Sequence, residues 1–210
     1  MLHILALFSF LLVSSSHAAL QDFCVADFTA PQGPTGYSCR TPAEVTADDF
    51  VYSGQLREPE YTSSIFNASI NSASVHKFPV LNGLGVSLAR ADVAPGGVFP
   101  LHTHPGATEI ILVARGAVTA GLISSDNTVY VKTVEEGDIM VFPQGLLRFP
   151  VNTGGTEVLI WVSFGSPSPG LQVLNTALFG NNLDSDLLEK ITLLGDDEVQ
   201  RLKALFGGSG

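Results

Sequence analysis

Short apolar runs separated by turn residues make up most of the sequence. Between residues 84 and 178 the runs are Val86–Val93, Glu109–Arg115, Val118–Ser124, Val129–Val134, Ile139–Phe142 and Val158–Phe164. The breaks between them carry Pro95-Gly96-Gly97, Pro105-Gly106, Ser125-Asp126-Asn127, Glu136-Gly137-Asp138 and Gly154-Gly155. Runs this short, punctuated by turn signals at such intervals, predict an all-β sandwich or barrel.

Both ends depart from that pattern. Asp184-Ser185-Asp186 is suited to cap a helix over Leu187–Leu194, and Asp196-Asp197 a second ending at Phe206, before Gly207-Gly208. Val199, Leu202 and Leu205-Phe206 mark one face of the second, so residues 179–210 read as a helical segment that packs on something, a neighbouring subunit being the expectation. Residues 19–57 read as an irregular arm strapped to the core. Residues 58–178 form the barrel segment, opening with a Ser/Asn-rich stretch to residue 82. At the start, the apolar run Ile4–Val13 is followed by Ser14-Ser15-Ser16, with Ser16 and Ala18 as the small residues a signal peptidase takes. A secretory signal over residues 1–18 is predicted. The run is too short to anchor the chain in a membrane, and no later stretch is long enough to span one.

Composition narrows the class. Of 210 residues, 45% are hydrophobic and 14% charged, which excludes a disordered chain. Twenty acidic against ten basic residues give a net charge of −10, with no Lys/Arg cluster, which excludes a nucleic-acid partner. The two cysteines, Cys24 and Cys39, lie close together near the expected mature N-terminus. In an oxidising compartment they read as a disulfide, the other reading being two free buried thiols. Asn67-Ala68-Ser69 is the single N-x-S/T sequon, a glycan acceptor site on an expected surface loop.

Candidate chemistry centres on His102-Thr103-His104. Residues i and i+2 of a strand project from one face, so both imidazoles are expected to point the same way. Glu109 opens the apolar run that follows, where a carboxylate is costly unless it is paired or ligates a metal. Two imidazoles and a carboxylate suit a divalent ion such as Mn, Fe or Zn. The remaining histidine after the signal, His76, reads as a loop residue. Trp161 reads as core, Asn152 as satisfying backbone groups in a turn, and Gly137, Pro143 and Gly145 as turn geometry.

The spacing Gly96-x5-His102-x-His104-x4-Glu109-x6-Gly116 resembles the first motif of the cupin superfamily in its germin form, and Gly137-x5-Pro143-x-Gly145-x2-Arg148-x3-Asn152 resembles the second. Leu20–Asp27 and Pro79–Gly85 are similar to the same family, and the look is closest to the branch holding plant auxin-binding germin-like proteins. The resemblance implies a cupin jelly-roll β-barrel, a manganese ion inside it, and secretion to the plant apoplast or cell wall. It also implies a homo-hexamer built as a trimer of dimers with the C-terminal helices in its interfaces. Activities in the family include oxalate oxidase and superoxide dismutase, besides ligand binding without turnover.

Carried over by position, the metal ligands are His102, His104 and Glu109. The family's fourth ligand falls on Arg148, which has no lone pair to offer a metal. Three outcomes are open: a three-ligand manganese site with Arg148 turned outward, a metal-free site with Arg148 paired to Glu109, or Arg148 as an anion anchor. The two asparagines that hold oxalate in oxalate-oxidising germins correspond to Ala89 and Phe99, which weighs against oxalate oxidation. The leading expectation is therefore a secreted manganese-binding protein with superoxide dismutase activity. The alternative is a metal-poor binding or structural wall glycoprotein that takes a small organic anion such as an auxin.

Overall fold

The computed structural model describes residues 21–33, 36–54, 56 and 65–210, so the expected signal segment lies outside the described residues. In the arm, β1 (Ala26–Asp27) pairs with β2 (Ser38–Cys39). The body follows as β3 (Ala68–Ala73), β4 (Ser87–Val93), β5 (His102–Thr103), β6 (Glu109–Arg115), β7 (Ala117–Ile123) and β8 (Val129–Glu135), then β9 (Ile139–Phe142), β10 (Leu147–Val151), β11 (Val158–Phe164) and β12 (Gln172–Val173). These ten strands form two five-stranded antiparallel sheets, ordered β12-β5-β10-β7-β8 and β3-β4-β11-β6-β9. The all-β body agrees with the run-and-turn pattern, and its two packed sheets with the jelly roll that the family resemblance implies. The bounds of β6, β9 and β11 coincide with the predicted runs, those of β4 and β8 differ by one residue at one end, and those of β7 by one residue at both.

The core lies between the sheets. Side chains alternate along β11, with Val158, Ile160, Val162 and Phe164 buried inward against Ala89, Ala91, Val93, Ile111, Val113, Val118 and Phe142. That alternation corrects the expectation for Trp161, which falls on the outward parity of β11 and is half-buried rather than core. Strand β3 was not foreseen, because its polar residues are the covered ones. Ser69 and Asn71 stand opposite Asp92 and Arg90 of β4 and are buried. Arg90 and Asp92 form a bidentate ion pair there at 2.7 and 2.8 Å. Strand β10, unforeseen as well, holds an arginine and a proline in a five-residue run.

The turn residues act as expected. Gly137 (φ 88°) and Gly145 (φ 79°) hold left-handed backbone that a side chain would strain. Asn152, almost fully buried, donates to the carbonyls of Val93 and Thr156 and accepts from the Gly154 amide. Cys24 and Cys39 are joined in a disulfide. Asn67 is exposed on the turn just before β3.

The C-terminal segment folds as α1 (Leu174–Phe179), α2 (Ser185–Thr192) and α3 (Asp196–Phe206). Asp184 caps α2, accepting from the amides of Asp186 and Leu187. Asp196 and Asp197 do not cap α3, whose N-cap is Gly195; they lie in its first turn, where the helix dipole favours acids. Phe179, Leu188 and Val199 bury one another together with Leu202 and Phe206, and Phe206 stacks on Phe66. Leu205, expected on the same face, is exposed, as are Leu187 and Ile191.

Candidate metal centre

The register of three strands assembles the centre. In the first sheet β10 places Arg148 directly opposite His102 of β5. In the second, Glu109 opens β6 between Phe142 of β9 and Phe164 of β11. The centre therefore bridges the two sheets. His104 follows the end of β5, entering the turn at Pro105-Gly106, and its ring lies 5.3 Å from that of His102. One ligand atom from each of His102, His104 and Glu109 lies within 4.8 Å of the others, and all three residues are buried.

Backbone carbonyls fix both imidazoles. His102 Nδ1 donates to the Pro100 carbonyl at 2.8 Å, and His104 Nδ1 donates to the Gly170 carbonyl. A carbonyl only accepts, so Nδ1 carries the proton and Nε2 keeps its lone pair, the form in which histidine ligates a metal. Burial holds His104 down at about 4, and it also lowers His102, with the charge of Arg148 adding to the effect. Both rings are neutral at pH 7.

Arg148 is neither a ligand nor turned outward. It is 1% exposed, its Nη1 donates to Glu109 Oε2 at 2.8 Å, and its guanidinium lies 5.7 Å from the centre of the Phe142 ring. Burial raises the Glu109 carboxyl, and the charge and hydrogen bond of Arg148 pull it partway back. The long stem does not carry the charge to the barrel mouth, because the buried Glu109 carboxylate is beside it. Its Nη2 has no hydrogen-bond partner among the described residues.

A cavity of about 70 Å³ opens onto the triad. His102, His104 and Glu109 supply its polar wall; Phe99, Ile111, Val162 and Leu171 are among its apolar walls, and Ile70 of the edge strand β3 lines it too. Arg148 is not one of the walls, so the guanidinium is not presented as an anion anchor. Phe99 is a wall where oxalate-oxidising germins carry an asparagine, and Ala89 is fully buried in the core. His76 lies away from the centre, exposed beside Tyr37 and Phe28. Gly170, Leu171 and Val173 belong to the centre through tertiary contact alone; no spacing in the sequence marks them.

The residues present fit a divalent metal. Glu109 Oε2 stands 3.4 Å from His104 Nε2, two acceptors facing each other, an arrangement that a cation between them relieves. Arg148 weakens that fit without abolishing it. A unit charge pair 4 Å apart is worth roughly 4 kcal/mol at an effective dielectric near 20, so a guanidinium beside a dication costs roughly twice that before Glu109 offsets part of it.

Comparison with known proteins gives a consistent result. The Cupin family profile matches residues 54–200. Auxin-binding protein ABP19a of Prunus persica is 56% identical over 200 residues, covering 95% of each chain. Germin-like protein subfamily 3 member 3 of Arabidopsis thaliana is 53% identical over 199 residues, covering 95% of this chain and 94% of its own. Among solved structures, an oxalate oxidase in complex with the substrate analogue glycolate superposes with a TM-score of 0.84 at 36% identity, covering 89% of this chain and 96% of its own.

Proposed function

We propose, from the premise that this chain belongs to the germin-like proteins of the cupin family, that it is a secreted apoplastic protein holding manganese through His102, His104 and Glu109. The observation that carries the reading is the convergence of two neutral imidazole Nε2 atoms and one buried carboxylate within 4.8 Å. Superoxide dismutation is the activity assigned to it. When bound, the manganese supplies the one-electron redox couple that disproportionation of superoxide needs. The Pro100 and Gly170 carbonyls keep the imidazoles in their ligating tautomer, and Arg148 holds the carboxylate in place. The apolar walls limit access to small molecules.

Oxalate oxidation is not part of this reading. Phe99 and Ala89 offer no hydrogen bond to an oxalate oxygen, and a second carboxylate would be buried against hydrocarbon. Secretion is supported by the leader pattern, the Cys24–Cys39 disulfide and the germin-like relatives. We assign the assembly as the family's hexamer, with glycan at Asn67. Ile110, Leu112, Ile139 and Val141 leave an exposed apolar stripe on the outer face of one sheet that a neighbouring subunit would cover.

A second reading, a metal-free binding or structural wall protein, is favoured by one observation. The Arg148–Glu109 pair already neutralises the centre without an ion. An auxin, the ligand named for the Prunus persica relative, would be its candidate ligand. Metal content separates the two. The protein is secreted from a host cell, purified at neutral pH and analysed by mass spectrometry for metal per subunit, with Arg148→His alongside. Close to one manganese per wild-type subunit supports the first reading. A metal-free wild type beside a loaded Arg148→His supports the second. Activity that stays flat in Arg148→His while its manganese rises would remove the dismutase assignment.

A further inference from the structure

We propose that the Cys24–Cys39 disulfide is a thiol-exchange site, at which a small charged thiol of the glutathione class attacks Cys39 and Cys24 departs. The two sulfurs are not equivalent. Cys39 is exposed and forms part of the wall of an open cleft of about 450 Å³, whereas Cys24 is half-buried and is not among the residues lining it. Access helps decide which sulfur of a disulfide is attacked. A thiolate approaching through the cleft therefore meets Cys39 first.

Each sulfur has an amide donor. Gln21 Nε2 donates to Cys39 Sγ at 2.9 Å, and Asn82 Nδ2 donates to Cys24 Sγ at 3.0 Å. Negative charge in the exchange spreads over the attacking, central and leaving sulfurs, so both donors act on the transition state. Asn82 acts most on the product, because Cys24 leaves as the thiolate and a hydrogen bond to an ionised acceptor is the stronger kind. Asn82 is buried, and its Nδ2 also donates to the Tyr37 carbonyl at 2.9 Å, which fixes the amide. The cleft is the size of a small-molecule site. Phe23 and Pro42 give it apolar surface, while Asp22 and Arg40, the latter paired with Asp49, place a charge of each sign on it. That lining suits a short peptide thiol carrying an ammonium and carboxylates.

The exchange balances without an oxidant. The thiol gives its proton to solvent, its sulfur bonds to Cys39, and the Cys24–Cys39 bond breaks with its electron pair on Cys24. Once Cys24 has taken a proton from solvent, the product is a mixed disulfide on Cys39 and a free thiol at Cys24. The arm keeps its place, because β1 still pairs with β2 and the Arg40 amide still donates to the Val25 carbonyl at 2.9 Å.

The test uses the full secreted protein, folded and oxidised, in excess reduced glutathione at pH 8. Free thiols are trapped with N-ethylmaleimide and the chain is cut after aromatic residues for mass spectrometry, Phe28 and Tyr37 lying between the two cysteines. The expected first product carries glutathione on Cys39 and maleimide on Cys24, with Trp161 fluorescence unchanged. Exchange in Asn82→Ala is expected to be roughly tenfold slower, the loss of one hydrogen bond to a charged group. Glutathione on Cys24, or on both cysteines alike, overturns the assignment of the attacked sulfur. A bond that exchanges only in denaturant overturns the site. An equal or faster rate in Asn82→Ala overturns the role of Asn82. Should that variant fail to fold, the wild-type map decides the site, and an unchanged rate in Gln21→Ala, altered on the exposed side, overturns the role of the amide donors.

Discussion

Replacing Arg148 with methionine in metal-free protein isolates what the guanidinium does for the barrel. Methionine keeps most of the stem and removes the charge, leaving Glu109, 6% exposed, without its ion-pair partner. Breaking one side of a buried pair costs about 3 to 5 kcal/mol. The carboxylate has an escape, which is to take a proton. From its ordinary value of 4.5 that costs about 1.36 kcal/mol per pH unit, so the penalty is capped near 3.4 kcal/mol at pH 7 and near 0.7 kcal/mol at pH 5. The sign follows from the protons bound. In the variant the folded chain holds a proton that the unfolded chain releases above 4.5, so stability falls as pH rises. In the wild type Arg148 opposes that uptake. His104, 3.4 Å from the carboxylate, can share the proton without changing the count. Urea unfolding followed by the fluorescence of Trp161, the single tryptophan, with chelator present at pH 5, 6 and 7, measures the gap between the two proteins. A gap that stays constant over that range, or is under about 1 kcal/mol at pH 7, refutes the view that Arg148 is what stabilises the buried carboxylate.

Acid should weaken the native protein through its buried imidazoles. His104 falls from 6.5 to about 4 on burial, so the unfolded chain binds more protons between those values and stability drops as pH falls through them, by roughly 3 kcal/mol in full. The urea midpoint of His104→Leu should vary less between pH 7 and 4 than that of the wild type. Gly170→Ala places a side chain at φ 66°, with its Cβ 3.3 Å from Pro105 Cδ, and displaces the carbonyl that orients His104. A loss of such a supporting contact typically costs ten- to a hundredfold in metal affinity, which manganese titration would read; unchanged affinity would show that the carbonyl is not needed. Removing the disulfide as Cys24→Ser/Cys39→Ser opens a loop of sequence separation 15, worth about 3 kcal/mol. The melting temperature should fall by about 6 to 12 °C for a chain of this size.

Much of the molecule is legible in one dimension because the forces that shape it are local or periodic. Strands β6, β9 and β11 follow from short runs that are apolar but for Glu109, Arg115 and Ser163, with turn residues such as Gly116, Asp138, Pro143 and Gly165 beside their ends. The residues that could hold a metal were legible as well, because a two-residue offset on one strand and an acid at the head of the next apolar run are visible as spacing. Strand β3 was not, since Ser69 and Asn71 are buried opposite the Arg90–Asp92 pair of β4, and polarity then no longer reports exposure. Strand β10 was hidden by the arginine and proline it carries in so short a run.

The identity of residue 148 was plain from the start, while its conformation was not. Three placements of the guanidinium were compatible with the sequence, the one turned outward leading. The choice among them depended on the register that sets β10 beside β5 and on the position of Glu109 in the opposite sheet. The Gly170 carbonyl reaches His104 from 66 residues away, and the volume of the cavity is fixed by walls drawn from both sheets and the segment before β12. Sequence by itself determined which residues carry the chemistry, because residue type and spacing set what each can donate, accept or ligate. Tertiary structure alone decided how their charges balance, because that balance depends on distances between strands far apart in the chain.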